Sequence, residues 1–114
     1  SFLIIYNQIV VDDDLIPVYG ALGDPTRLAI VESLANTPSP ASTLSGPVSL
    51  TQQGLSKHLQ VLVEAGLVRQ EKRGRQRVCS VDQETLAAAI AWLQEQAAGP
   101  KSTATVMTFD PTLD

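Results

Sequence analysis

The sequence predicts a mainly α-helical domain with one small β-hairpin, and three observations lead to this prediction. Apolar residues recur at helical spacing in segments that are separated by Gly, Pro and Asp. Residues 69–81 (RQEKRGRQRVCSV) instead indicate two short strands around a turn at Gly74. This basic hairpin directly follows the most regular helix. The predicted order is therefore α-α-α-α-β-β-α, the arrangement of a winged helix-turn-helix.

The most regular helix lies within residues 49–68 (SLTQQGLSKHLQVLVEAGLV). Ser49 or Thr51 can accept a hydrogen bond from the free amides at its start, and Gly66 can end it in the left-handed conformation. A stripe at positions i, i+4 and i+7 predicts the buried face: Leu55, Leu59 and Leu62. The opposite face carries side chains that can bind base edges or phosphates: Gln52, Gln53, Ser56, Lys57 and Gln60. The pattern predicts a recognition helix, although ordinary surface helices also carry polar faces.

The distribution of charge favours double-stranded DNA as the partner. The chain has a net charge of −4, but residues 57–77 hold six basic and two acidic side chains, a local charge of +4. Residues 1–56 and residues 78–114 each hold one basic and five acidic side chains, a charge of −4 apiece. The local field governs binding to a polyanion, so the basic segment predicts phosphate contacts. The candidates are Lys57, Arg73, Arg75 and Arg77.

Two helices are predicted before the recognition helix. The first should begin near Asp14, because Pro17 is tolerated only in a first helical turn. It should place these side chains on one face: Leu15, Val18, Tyr19 and Leu22. The second can be capped by Asp24, with Pro25 at its first position, and should end near residues 35–36. Its predicted buried face consists of Leu28, Ile30, Val31 and Leu34.

Residues 37–48 (TPSPASTLSGPV) occupy the place where a helix-turn-helix needs its first helix. Proline, serine and glycine dominate this segment, and only residues 41–45 could form a short helical turn. The first helix of the motif is therefore expected to be short or distorted.

A last helix is predicted from Asp82, which can cap it, to the stop at residues 99–100. This terminal helix is strongly apolar, and a domain this small offers little remaining core for it to cover. We therefore predict that it forms a homodimer interface together with the first helix. Packing into the core of the same chain is the alternative. The predicted interface residues are Leu15, Val18, Tyr19, Leu86, Ile90 and Leu93.

The 114 residues predict one domain, with DNA binding and dimerisation assigned to residues 12–98. Residues 1–11 form an apolar arm whose pattern fits a strand, an arm over a partner subunit or the start of the first helix. Residues 99–114 are expected to be a flexible tail. No signal peptide and no membrane span are expected, and the single cysteine, Cys79, fits a cytoplasmic protein.

Three segments resemble the ArsR/SmtB family of bacterial transcriptional regulators: ALGDPTRLAIVESL (21–34), LSKHLQVLVEAGLV (55–68) and the hairpin at 69–81. The pairing of LGDPTRL with SKHL-x-x-L-x-x-AGLV is the specific part, and the resemblance covers residues 13–97. It implies a winged-helix homodimer that binds an imperfect inverted repeat at promoters. Members of the family are usually repressors released by a metal or another signal, although metal-free members and activators occur.

The metal sites that the resemblance implies lack ligands in this sequence. The family's thiol site uses a cysteine pair in the first helix of the motif, and residues 43–48 contain no cysteine. The site between paired last helices uses carboxylates and histidine, and this last helix has Glu84 and Glu95 but no histidine. A nickel- or zinc-type site is left open through a sparse set of ligands: His58, Asp12, Asp13 and Asp14. His58 can equally be a structural or DNA-proximal residue.

The sequence therefore predicts a DNA-binding transcriptional regulator and not an enzyme. One histidine, one cysteine and no glycine-rich phosphate loop leave no evident catalytic group. Three residues are expected to read base edges: Gln52, Gln53 and Ser56. Two alternatives are a metal-independent autorepressor and a winged-helix interaction module that needs a second regulatory protein. The effector, the operator and the choice between repression and activation are left open.

Overall fold

A computed structural model of the protein describes residues 3–6, 9–12, 14–44 and 51–100. The described helices and strands follow the predicted order except at the third of the four helices expected before the hairpin, where the described residues hold only a 3₁₀ turn and residues 45–50 lie outside the described part. A short strand and an N-terminal hairpin are additional. The elements are β1 (Leu3–Tyr6), β2 (Ile9–Asp12), α1 (Ile16–Ala21), α2 (Pro25–Asn36), β3 (Ser39–Pro40), a 3₁₀ turn (Ala41–Thr43), α3 (Gln52–Glu64), β4 (Val68–Arg73), β5 (Gln76–Val81) and α4 (Gln83–Ala97). None of the helices in this part of the chain is long and apolar enough to cross a membrane.

The N-terminal arm contains strands. β1 and β2 pair in antiparallel register, from Leu3 opposite Asp12 to Tyr6 opposite Ile9. Of the three conformations that the sequence left open for this arm, its described residues therefore adopt the strand. β1 and β2 form a sheet of their own, separate from the sheet of the wing.

Helix α1 begins later than predicted. It starts at Ile16 rather than near Asp14, no side chain caps it, and no acidic residue lies in its first turn. Pro17 lies in the first turn, as predicted, because its ring is compatible with helical geometry only there.

Helix α2 confirms the predicted cap but not the whole of the predicted buried face. Asp24 Oδ2 accepts hydrogen bonds from the backbone amides of Thr26 (2.9 Å) and Arg27 (3.0 Å). The prediction was wrong for Leu28, which is 46% exposed. Leu28 precedes Ile30 by two residues, and two residues turn a helix by more than half a revolution, so the two side chains point away from each other.

Helix α3 is defined at both ends by the predicted residues. Thr51 Oγ1 accepts a hydrogen bond from the Gly54 amide at 3.1 Å. At the other end the Gly66 amide bonds to Val63 O and the Leu67 amide to Leu62 O, with Gly66 at φ +85°. This pair of bonds is a Schellman motif, which satisfies two of the last helical carbonyls. The predicted stripe is buried: Leu55, Leu59 and Leu62.

The wing is a three-stranded sheet rather than a two-stranded hairpin. β4 and β5 pair around a turn at Gly74, whose φ of +63° suits glycine. β3 adds to the other side of β5, with Ser39 opposite Cys79 and Pro40 opposite Val78. Pro40 is tolerated because β3 is an edge strand, where a missing amide leaves no neighbour unpaired. The 3₁₀ turn at Ala41–Thr43 occupies part of the segment expected to hold a short helical turn.

The core lies between α1, α2, α3 and the inner face of the wing sheet. Helix α4 is capped by Asp82, which accepts from the Thr85 amide at 3.0 Å, and it ends at Ala97, two residues before Gly99. Ala89 is the one buried side chain of this helix. The fully buried large side chains include Ile30, Leu34, Leu44, Leu55, Leu62 and Leu67.

We expect Gly66→Ala to destabilise the protein by about 1–2 kcal/mol, because an alanine Cβ is disfavoured at positive φ. The added Cβ would also lie 3.7 Å from Thr85 Oγ1. Urea unfolding followed by circular dichroism measures the change. Gly20→Ala is the control, since nothing lies within 4 Å of its added Cβ and alanine favours a helix. A Gly66→Ala protein as stable as wild type would contradict the role assigned to the left-handed cap.

Candidate nucleic-acid interface

The exposed face of α3 carries most of the predicted DNA-contacting side chains. Gln53, Ser56, Lys57 and Gln60 are all exposed, while the leucine stripe on the other side of the helix lies in the core. Gln52 occupies the first position of the helix. Burial of the leucine stripe determines which way α3 faces, so the polar side chains project into solvent together.

The two faces of the wing differ in what they present. Side chains along a strand alternate between faces, and the inner face carries the buried Val68, Cys79 and Val81. Toward the tip, the same face carries Lys72 and Arg77, which are directly opposite each other across β4 and β5. Like charges placed opposite each other on a sheet are destabilising unless a counter-charge lies nearby. The inner face of the wing tip is therefore suited to a polyanion.

The outer face of the wing carries arginines that already have carboxylate partners. Arg73 Nη2 lies 2.8 Å from Glu71 Oε1, and Arg73 Nε donates to the same oxygen at 2.9 Å. Arg69 Nε lies 3.7 Å from Asp82 Oδ2. Arg75 lies at the turn itself and, among the described residues, has no carboxylate within ion-pair distance. Arg73 therefore lies on the side of the wing away from Arg77, and the structure does not group all three predicted arginines.

A cleft of about 420 Å³ separates α3 from the wing. Helix α3 contributes Ser56, Gln60 and Glu64 to its walls, and the inner face of the wing contributes Gln70 and Arg77. Polar groups from two consecutive elements of the chain thus line one surface. We call this surface the helix–wing cleft.

Sequence reasoning did not select Gln70, Lys72 or Glu64 as site residues. Gln70 and Lys72 could have been found from the alternation of side chains along β4. Both follow the buried Val68 at steps of two residues, so they lie on the same face of the strand as Val68. Glu64 could have been found from its spacing to Gln60, because residues at i and i+4 are neighbours on a helix surface. Glu64 Oε2 accepts a hydrogen bond from Gln60 Nε2 at 3.0 Å.

A polar network anchors α3 to the two preceding helices. Arg27 Nε donates to the Ala21 carbonyl at 2.7 Å, and Arg27 Nη1 lies 3.3 Å from His58 Nδ1. Asp24 Oδ2 lies 3.8 Å from the same ring nitrogen. Hydrogen bonds from the backbone amides of Arg27 and Thr26 lower the pKa of the Asp24 carboxyl below its usual value, against a smaller opposing effect of burial. His58 therefore connects the recognition helix to the start of α2.

The candidate metal ligands do not form a described site. His58 Nδ1 faces Arg27 and Asp24, Asp14 is exposed, the backbone of Asp12 ends β2, and Asp13 lies outside the described residues. Within the described ranges, no three His, Cys, Asp or Glu side chains are grouped so that they could hold a metal ion. Burial raises the pKa of the Cys79 thiol, to which Gln70 Nε2 donates at 3.6 Å.

The predicted interface residues divide into three sets by their exposure. Val18 is 1% exposed and belongs to the core of the chain, so that part of the interface prediction was wrong. The reason is that α1 packs on α3 and α4 of the same chain. Half-buried side chains pack at the edge of the core: Leu15, Tyr19 and Leu86. Ile90 and Leu93 are 46% and 50% exposed.

Exposed apolar side chains on α1 and α4 form what we call the terminal apolar face: Ile16, Ile90, Trp92 and Leu93. The two helices are joined beneath it, since the Tyr19 hydroxyl donates to the Ala89 carbonyl at 2.6 Å. The Tyr19 and Trp92 rings also lie 5.6 Å apart between centroids. The last helix therefore presents apolar side chains that the described part of the chain does not cover.

Several known proteins are similar to this chain in sequence and in fold. The profile of a helix-turn-helix domain family matches residues 22–71. The HTH-type transcriptional regulator Rv2034 of Mycobacterium tuberculosis is 41% identical over 68 residues, which cover 60% of this chain and 64% of that protein. The crystal structure of an ArsR family transcriptional regulator has a TM-score of 0.69 and 35% identity, over 75% of this chain and 93% of that one.

A solution structure from Mycobacterium bovis also matches, with a TM-score of 0.63 and 26% identity over 75% of this chain and 80% of that one. Its subject is a homodimeric winged helix-turn-helix DNA-binding domain. These relatives confirm the predicted winged helix-turn-helix fold. They are transcriptional regulators and not enzymes, which confirms the prediction that the chain is not an enzyme.

We expect the Asp24 cap to make folding stability depend on pH in the acid range. The pKa of this carboxyl is lower in the folded than in the unfolded protein, so its contribution is fully present above the ordinary value of 3.8 and is lost as pH falls below it. The urea midpoint of wild type should therefore fall more steeply below about pH 4 than that of Asp24→Ala. Glu32→Ala, which removes an exposed carboxylate from the same helix, should retain the wild-type slope. Equal slopes for wild type and Asp24→Ala would contradict this assignment.

Proposed function

The chain belongs to the ArsR family of helix-turn-helix transcriptional regulators, and from this membership we propose that it binds a pseudo-palindromic operator as a homodimer. The observation that carries the proposal is the helix–wing cleft, in which Ser56 and Gln60 of α3 and Arg77 of the wing line one surface. Residues 12–98 would carry both DNA binding and dimerisation.

Phosphate contacts would supply most of the affinity. Arg75 at the turn, Arg77 and Lys72 on the inner face, and Lys57 on α3 are exposed cations. None of them has a carboxylate within ion-pair distance in the described part of the chain. Neutralising phosphates with such side chains releases counterions, so binding should weaken steeply with salt. Arg73 would contribute less, because a phosphate must compete with Glu71 for its guanidinium.

The first base contacts would come from the N-terminal half of α3. Recognition helices contact base edges mainly with their first residues, and Thr51 caps this helix two residues before Gln53. Gln53 and Ser56 are exposed there, and Gln52 shares the same turn. A glutamine amide can bind adenine through both N6 and N7, so Gln53 would favour an A·T pair.

The terminal apolar face would form the dimer interface. Ile90, Trp92 and Leu93 would bury their exposed surface against the same face of a second copy, since a two-fold interface uses the same surface patch of both subunits. The homodimeric relative from Mycobacterium bovis supports this arrangement. A two-fold dimer presents two recognition helices related by symmetry, so the operator should be an inverted repeat.

Two forms of this regulator are distinguished by their effector: one works without a metal, and the other is a nickel or zinc sensor. Titrating the protein–DNA complex with each ion distinguishes the two, because a sensor would lose or gain affinity. An interaction module that needs a second regulatory protein is the alternative outcome if the pure protein binds all DNA equally and weakly.

We expect Arg75→Ala and Gln53→Ala to affect DNA binding in different ways. Arg75→Ala should weaken binding to all sequences and reduce the slope of log K against log salt by about 0.9 for each phosphate that is no longer neutralised, or about 1.8 per dimer. Gln53→Ala should remove about 1–3 kcal/mol of discrimination at one base pair in each half-site. Fluorescence anisotropy on operator and random DNA at two salt concentrations measures both.

Arg69→Ala is the matched control for these variants, because it removes the same charge from the base of the outer face, where Asp82 already pairs with it. It should have a smaller effect on the salt slope than Arg75→Ala. A loss for Gln53→Ala that is equal on operator and random DNA would show that this side chain does not read a base.

We expect Ile90→Glu to convert the dimer to a monomer, because a carboxylate would be buried without a partner in the two-fold interface. Sedimentation velocity at micromolar concentration measures the change, and operator affinity should fall with it. Ala91→Glu is the control, since Ala91 is exposed and lies on the side of α4 opposite Leu93. An Ile90→Glu protein that remains dimeric would show that the interface lies elsewhere.

A further inference from the structure

We propose that Gln60 reads an adenine in the operator and that Glu64 is the positioning residue that orients the Gln60 amide for this contact. The proposal rests on the proposed DNA-binding function and adds a second reading position to it. The observation that carries it is the hydrogen bond from Gln60 Nε2 to Glu64 Oε2, 3.0 Å long, on the exposed face of α3.

The hydrogen bond determines which end of the amide faces Glu64. An ionised carboxylate only accepts hydrogen bonds, so it must face the amide nitrogen of Gln60 and not the amide oxygen. The nitrogen has two hydrogens, of which Glu64 takes one. The proposal assigns to Glu64 the hydrogen trans to Oε1, which leaves the cis hydrogen and Oε1 together on the other edge of the amide.

This free edge has the pattern that adenine requires. Adenine presents the N7 acceptor and the N6 donor side by side in the major groove, and a glutamine amide binds them with one N–H and its oxygen. A freely rotating glutamine offers this edge in only some of its conformers, and immobilising it on binding costs side-chain entropy. The hydrogen bond to Glu64 restricts the Gln60 side chain to fewer conformers before DNA is bound. Less side-chain entropy is then lost on binding, so both the affinity and the selectivity for adenine increase.

The position of Gln60 on α3 suits a second contact in the same groove. Gln60 is exposed, lines the helix–wing cleft, and follows Gln53 by seven residues, which returns it to the same face after two turns. Seven residues span about 10.5 Å along the axis, or about three base-pair steps of 3.4 Å. The adenine read by Gln60 should therefore lie about three pairs from the base read by Gln53.

The charge of Glu64 distinguishes a positioning role from a contribution to affinity. A carboxylate beside the DNA surface repels phosphates and weakens binding to every sequence alike. Arg77, which lines the same cleft, offsets part of this repulsion. Removing the charge should therefore strengthen binding to random DNA, while removing the hydrogen-bond acceptor should weaken the preference for adenine.

Two substitutions separate these effects. Glu64→Gln removes the charge but keeps an oxygen that accepts from Gln60, whereas Glu64→Ala removes both. Each protein, with wild type, Gln60→Ala and Gln53→Ala, is used to select sites from random double-stranded DNA, and base preferences are compared position by position. Glu32→Gln is the charge control, because Glu32 is exposed on α2, outside the cleft.

Gln60→Ala should lower the adenine preference about tenfold at one position per half-site, which corresponds to one good bidentate contact. Glu64→Ala should lower it about threefold at that same position and leave the position read by Gln53 unchanged. Glu64→Gln should retain most of the preference. Both Glu64 variants should bind random DNA more tightly than wild type, and Glu32→Gln should match wild type.

Unchanged base preferences in Glu64→Ala would overturn the positioning role, and so would a loss at a position that Gln60→Ala does not affect. Equal losses of preference in Glu64→Ala and Glu64→Gln would also overturn it, because the charge would then be responsible. Failure of the proposed function gives a different result, since wild type itself would then select no sequence.

Discussion

Burial of the leucine stripe of α3 is the interaction on which the rest of the structure depends. Leu55, Leu59 and Leu62 pack into the core and so determine the rotation of the helix about its axis. The exposed direction of Gln53 and Gln60 follows from that rotation alone. The length of the helix is determined separately, by the Thr51 cap at one end and the Gly66 turn at the other. Since β4 begins two residues after Gly66, the same turn also determines where the wing starts.

The parts of the fold that depend on local chemistry could be predicted from the sequence. The caps at Asp24, Thr51 and Asp82 and the left-handed turns at Gly66 and Gly74 need only a side chain and its near neighbours. The parts that depend on packing could not. Residues Ser39–Pro40 form a strand because β5 has a free edge beside them, and nothing within a proline- and serine-rich segment indicates such a partner. Leu28 and Val18 were misplaced for the same reason, since exposure depends on which helices pack together.

The candidate site was predictable in composition but not in arrangement. The local excess of positive charge indicates the candidate DNA-binding segment, although the whole chain is acidic. Counting charges does not divide the basic residues of the wing between its two faces. That division follows from the register of β4 and β5, which puts Lys72 and Arg77 together on the inner face and pairs Arg73 with Glu71 on the outer one. Glu64 was missed because a search for basic and amide side chains passes over a carboxylate.

The contacts between helices explain how a dimer interface on α1 and α4 could dictate the spacing of two recognition helices. Half-site spacing is defined only if α3 is held rigidly relative to that interface. Tyr19 joins α1 to α4 through Ala89, Arg27 joins α2 to the end of α1 through the Ala21 carbonyl, and His58 joins α3 to Arg27. These polar contacts restrict the angles between the helices, which apolar packing alone would leave adjustable. The reason is that hydrogen bonds are directional and hydrophobic contacts are not. In the proposed dimer, the contact of His58 with Arg27 would help to keep the exposed face of α3 at a constant orientation to the partner subunit.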